Sequence, residues 1–138
     1  MNRFVLDCSL TMSWCFEDEK TPLGDHILDL LMKQEYEALV PSLWRLEVVN
    51  VLSVAEKRGR LSTARSLLFL DFLLELPIFV DEAPQDVKDI LMLSRTYNLS
   101  SYDAAYLDLA TKEQLPLVTL DKKLQTAANS ANIPTLKL

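Results

Sequence analysis

Short apolar runs alternate along this chain with longer stretches in which apolar positions recur every three or four residues. RFVLD (3–7) has the composition of a strand bound for a buried sheet, yet it ends on a carboxylate. In residues 21–36, Leu23, Ile27, Leu30 and Leu31 fall at helical spacing behind Pro22, a favourable residue in a first helical turn. EALV (37–40) reads as a second strand. Ser42 then caps a helix running to about Arg58, which Gly59 stops. Ser62 or Thr63 opens another apolar helix that ends before Pro77, and PIFVDE (77–82) is a third strand by its β-branched and aromatic content. Residues 84–97 are predicted helical, with Val87, Ile90, Leu91 and Met92 toward the core. Ser101 is the predicted N-cap of the helix YDAAYLDLATKE. PLVTLD (116–121) is a fourth strand, DKKLQTAANSA a helix and IPTLKL (133–138) a fifth strand. Strands separated by helices imply parallel crossovers and a sheet covered on both faces, so the class is α/β.

At 138 residues the chain is expected to form one domain, 1–138, large enough for a substantial core. Apolar residues make up 49% and charged ones 25%, a balance that suits a folded domain rather than a disordered one. No apolar stretch reaches bilayer length, and LLFLDFLLELP is broken by Asp71 and Glu75. Without a basic segment leading into an apolar one at the start, the cytoplasm is the expected location.

Cys8 and Cys15, if helical, lie about 10 Å apart by helix rise, too far for a disulfide. Two thiols and one histidine, His26, make a poor zinc set and no nucleophilic triad. The net charge of −6 argues against nonspecific coating of nucleic acid. Basic residues do cluster locally at Lys57, Arg58, Arg60 and Arg65, and again at Lys122 and Lys123. Such a rim fits phosphate contact, or a solvated helix–helix turn.

Four acids stand out against this pattern. Ligands of open parallel sheets bind beyond the carboxyl ends of the strands. Asp7 and Asp121 each follow a strand there, facing one crevice if the first and fourth strands are neighbours. Asp103 lies near the start of a helix. Taken alone, each of these three is better explained by capping. Glu47 lies past the first turn of its helix among apolar neighbours, where a charge is costly unless a partner or a metal meets it; a hydrogen bond to a distant core group is the structural alternative. Asp108, five residues after Asp103, is expected at the surface, as is the run Glu17, Asp18 and Glu19. The apolar surplus of SLLFLDFLLELP exceeds what one helix face needs and suggests core plus a partner surface. Trp14 and Tyr102 are either core residues or platforms for unpaired bases.

In order, Asp7 in LDCSLTMSWCFEDE, Glu47 in LEVVNVL, Asp103 in SSYDAAYLDLA and Asp121 in VTLDKKL resemble the PIN-domain nucleases, and more narrowly the VapC toxins of VapBC toxin–antitoxin pairs. The similarity spans essentially the whole chain. It implies a three-layer α/β/α domain with a five-stranded parallel sheet in the order 3-2-1-4-5. It also implies a metal-dependent endoribonuclease held in check by a cognate VapB-type antitoxin, and a homodimer. Carried over by position, Asp7 and Asp103 would be the leading metal ligands and Asp121 would support them. Glu47 would hold a water or a second ion, and Ser9 either a water or the helix cap. An oxygen-only set suits Mg²⁺ or Mn²⁺. Two rival readings share the same acids. One is a catalytically silent module that receives a partner. The other is a haloacid-dehalogenase-like phosphatase with Asp7 as nucleophile, although Ser9 stands where such sites carry a second aspartate.

Overall fold

In the computed structural model, which describes residues 2–136, Phe4, Val5 and Leu6 are each fully buried. Successive strand residues point to opposite faces, so three consecutive buried residues require cover on both sides of the sheet. They belong to β1 (Asn2–Leu6), which pairs in parallel with β2 (Tyr36–Pro41) and with β4 (Leu117–Val118); β2 pairs in turn with β3 (Ile78–Asp81). The order among the described residues is β3-β2-β1-β4.

The crossovers are α1 (Cys8–Ser13) and α2 (Pro22–Met32) after β1, then α3 (Leu43–Lys57) and α4 (Thr63–Glu75) after β2. They continue with α5 (Val87–Tyr97) and α6 (Ser101–Glu113) after β3, and α7 (Lys122–Ser130) after β4. Thr21 caps α2 through its hydroxyl, with Pro22 at the first helical position, and Ser62 caps α4. Helix α6 is the central one: from Ala104 to Ala110 every residue is buried, and it packs on both β1 and β2.

Three sequence expectations are corrected here. Residues 133–136 do not form a strand, and 137–138 lie outside the described residues. The Leu117 N–H nevertheless donates to the Pro134 carbonyl at 3.4 Å, so the chain returns along the free side of β4 where a fifth strand was expected. The fourth strand is also shorter than predicted: it ends at Val118, and the chain bends at Leu120 into the cap of α7. Helix α5 is rotated relative to expectation. Val87, Leu91 and Met92 are exposed, and Ile90, Leu93 and Tyr97 pack inward. Its main neighbour is α6 rather than the sheet, and one neighbouring helix covers only one narrow stripe.

Candidate active site

The carboxyl end of β1 delivers Asp7 in extended conformation (φ −94°, ψ 171°) at the N-cap of α1. Its Oδ1 accepts the Leu10 N–H at 3.0 Å, and the Ser9 hydroxyl lies 2.9 and 2.8 Å from its two oxygens. Thr119, the residue beside Asp7 at the end of β4, donates its hydroxyl to Oδ2. Despite these hydrogen bonds, burial pushes the Asp7 carboxyl up to about 6, and the charge of Asp103 adds to that. Capping and membership of an acidic site therefore fall on the same side chain. The ends of the two strands are stitched further by Ser9, whose Oγ accepts the Leu120 N–H at 3.1 Å and lies 3.2 Å from Thr119 Oγ1; within the second end, Thr119 Oγ1 accepts the Asp121 N–H at 3.0 Å.

Asp121 is the cap of α7, its Oδ1 accepting the N–H groups of Lys123 (2.9 Å) and Leu124 (3.1 Å). Asp103 caps nothing. Ser100, not Ser101, starts α6, and its hydroxyl accepts the Asp103 N–H at 3.1 Å. Burial raises the Asp103 carboxyl, as does the charge of Asp121, and Lys123 opposes the shift. Glu47 is half-buried on α3, and Oε1 accepts the phenol of Tyr106 at 2.6 Å. Burial raises the Glu47 carboxyl; the phenol lowers it and Asp103 raises it again.

Asp103 thus lies within the electrostatic reach of Asp7, Glu47 and Asp121. The four are not drawn into a ready cage: among the described residues no three acidic, cysteine or histidine side chains stand close enough together to hold a metal ion. Asp7 and Asp121 are turned to helix caps, and Glu47 to a phenol. The donors themselves are carboxylate and hydroxyl oxygens. Burial, together with the charges of Glu47 and Asp7, pushes the Cys8 thiol up to about 12, so it is neutral at ordinary pH. This donor chemistry fits a hard divalent cation rather than zinc. At the position where a phosphatase of the rival kind would carry its second acid, the Ser9 hydroxyl sits against Asp7 instead.

Beside the acids opens a cavity of about 640 Å³, bounded by Ser9 and Asp121 on one side and Asp18 and Thr21 on the other, with Met12 and Val51 between. Arg60 is occupied nearby. It pairs with Asp18 at 2.9 Å and Glu19 at 3.4 Å and lies 4.3 Å over the Phe16 ring, so that basic cluster is in part a clasp on the acidic run. Lys122 and Lys123 are exposed at the head of α7. Trp14 packs against the core and donates to the Gly24 carbonyl at 2.9 Å, whereas Tyr102, next to Asp103, is exposed. Asp108 is not at the surface as expected. It is buried, taking a hydrogen bond from Gln85 at 3.0 Å and an ion pair with Lys112 at 3.2 Å.

Two residues of this site escaped the sequence reading. Thr119 carries part of a signal: it follows β4 directly as Asp7 follows β1, and the register that pairs Leu6 with Val118 sets the two side by side. Tyr106 carries none, since its partner lies 59 residues away.

A family model described as PIN domain matches residues 4–129. No curated protein matches the chain. Among solved structures, PAE2754 from Pyrobaculum aerophilum is similar with a TM-score of 0.72 and 23% identity, over 91% of this chain and 86% of that one. The Mycobacterium tuberculosis toxin VapC20, described as cleaving the sarcin–ricin loop, is similar with a TM-score of 0.62 and 8% identity, over 98% of this chain and 99% of that one. At these identities the two structures bear on the fold.

Proposed function

The chain belongs to the PIN domain family, and from that premise we propose that it is a VapC-type toxin, an Mg²⁺- or Mn²⁺-dependent endoribonuclease. The observation that supports this reading is the carboxyl edge of the sheet, where Asp7 is buried at the end of β1 and Asp121 follows the adjacent β4, with the charge of Asp103 bearing on Asp7 and Glu47. Burial is the main cause that raises Asp7, Glu47 and Asp103, and a bound cation would offset the cost of keeping them ionised.

In this reading Asp7, Asp103 and Asp121 would hold the ion, and Glu47 would orient the attacking water. When bound, a divalent cation supplies Lewis acidity toward the phosphodiester and lowers the pKa of water, which favours hydrolysis to a 5′-phosphate and a 3′-hydroxyl. The protein's own groups do the rest. Ser9, Thr119 and the Leu10 N–H hold the Asp7 carboxylate in one orientation. Lys122 and Lys123 offer positive charge to the RNA backbone at the rim, and exposed Tyr102 offers a face on which an unpaired base can stack.

The reading includes a cognate VapB-type antitoxin and a homodimer. Supporting it, two apolar cavities of about 370 and 300 Å³ run between α3 and α4 and share Val49 and Leu70. Leu67 and Leu74 line these cavities and are exposed on α4. Leucines exposed along one such groove mark a protein-binding face. Among the described residues no helix is long and apolar enough to cross a membrane.

The test is cleavage of single-stranded RNA by the purified chain in Mg²⁺. Activity is expected to vanish with EDTA and in Asp103→Asn, whose circular dichroism stays that of the wild type. A folded Asp103→Asn that still cuts removes this residue from the mechanism. A chain that binds its antitoxin but cuts RNA with no divalent ion favours the silent partner-binding module.

A further inference from the structure

We propose that Tyr106 is a positioning residue that sets the Glu47 carboxylate in the acidic site, acting through the hydrogen bond that joins α6 to α3. The proposal rests on the nuclease reading above and deepens it. Tyr106 follows Asp103 by three residues on α6, so the two lie one turn apart on neighbouring faces. Its ring is only 1% exposed, and core packing therefore fixes where the phenol oxygen stands. From there it donates to Glu47 Oε1 at 2.6 Å, a short bond of the kind made to a charged acceptor. With Oε1 held, the direction in which Oε2 is presented is fixed as well.

A second bridge holds the same stretch of α3. The Trp44 indole, one turn before Glu47, donates to Thr11 Oγ1 at 3.0 Å, and that hydroxyl donates to the Asp7 carbonyl at 2.8 Å. Helix α3 is thus tied on one side to the backbone of Asp7 and on the other to the helix that carries Asp103. Side chains far apart in sequence are held in one frame by two side-chain links. A purely structural role accounts poorly for the pairing. A buried phenol needs only an acceptor, and an apolar pair would fill the same space without half-burying a charge.

The test uses the full chain with Tyr106→Phe, Glu47→Gln, Glu47→Asp and the double variant Tyr106→Phe/Glu47→Gln. Single-turnover cleavage of a defined RNA oligonucleotide gives the rate, and calorimetric titration with Mn²⁺ gives metal affinity without reference to activity. Loss of a supporting hydrogen bond at a metal site typically costs about 10–100-fold. Tyr106→Phe should slow cleavage by about 10-fold or more and weaken Mn²⁺ binding or raise the Mg²⁺ needed for half-maximal rate, with KM for RNA unchanged. The double variant should be no slower than Glu47→Gln alone, because the phenol acts only through the glutamate. Glu47→Asp keeps the charge but falls short of the phenol, and should be as impaired as Glu47→Gln. It also tests the proposal if Tyr106→Phe fails to fold. Wild-type rate and metal dependence in Tyr106→Phe, multiplying defects in the double variant, or full activity in Glu47→Asp would each overturn the proposal. Asp103→Asn and wild type with EDTA, run in parallel, separate the two levels: if wild type does not cut RNA with any divalent ion, or cuts equally in EDTA, the metal-dependent nuclease reading fails. If Asp103→Asn is inactive beside an unimpaired Tyr106→Phe, only the positioning role fails.

Discussion

Replacing Asp7 by asparagine should make the metal-free protein more stable at neutral pH. Folding raises the Asp7 carboxyl from 3.8 to about 6 through burial. At roughly 1.4 kcal/mol per pKa unit, holding it ionised costs the native state about 3 kcal/mol. The sign follows from the direction of the shift. The native state binds the proton more tightly, so stability is greatest below 3.8 and is lost as pH rises through about 6. Asparagine carries no charge to bury, and its Oδ1 can still cap the Leu10 N–H. Its amide meets the Ser9 and Thr119 hydroxyls less well than a carboxylate does, which returns about 1 kcal/mol. The net gain is about 2 kcal/mol, a rise in Tm of about 7 °C for a chain of this length. Urea denaturation in EDTA, compared between about pH 7.5 and about pH 4, measures it. The variant should exceed wild type at the higher pH and lose that advantage at the lower one. Excess Mg²⁺ should then stabilise the wild type and leave the variant unmoved. An Asp7→Asn protein that is less stable than wild type at neutral pH, or a difference that ignores pH, refutes the claim that this carboxylate is held charged at a cost.

Two further predictions concern the scaffold. Gln114 ends α6 in the left-handed region at φ 56°, so Gln114→Gly should raise stability by about 0.5–1 kcal/mol, measured by urea denaturation; a loss contradicts the strain argument. A Cβ on Gly24 would lie 2.6 Å from Ser13 Oγ, which is itself held by the Leu10 carbonyl at 2.6 Å. Gly24→Ala should therefore cost about 1–2 kcal/mol despite the better helix propensity of alanine, and adding Ser13→Ala should recover most of it. An additive double variant rules out that clash.

Much of the fold was legible because its signals are local. Pro22 and Ser62 mark helix starts through their own backbone chemistry, and Phe4-Val5-Leu6 announces a doubly covered strand wherever it sits. What could not be read depends on partners supplied by other elements. The rotation of α5 is set by its packing on α6, which leaves Leu91 outside and draws Leu93 in. Asp108 is buried because Gln85 and Lys112 meet it there, and no spacing along α6 announces either partner. The acids show both limits at once. Strand ends pointed to Asp7 and Asp121, whereas the answer to the half-buried charge of Glu47 comes from a tyrosine on another helix. Capping and a place beside other acids are not exclusive in Asp7, whose carboxylate caps α1 and is raised by burial, with a smaller contribution from the charge of Asp103.

If these carboxylates share a divalent cation, anomalous scattering from crystals grown with Mn²⁺ will locate it. One strong peak is expected within coordination distance of Asp7 and Asp103, absent in Asp103→Asn crystals. A peak bound elsewhere, or none at these acids in a protein that cuts RNA with Mn²⁺, contradicts a shared site.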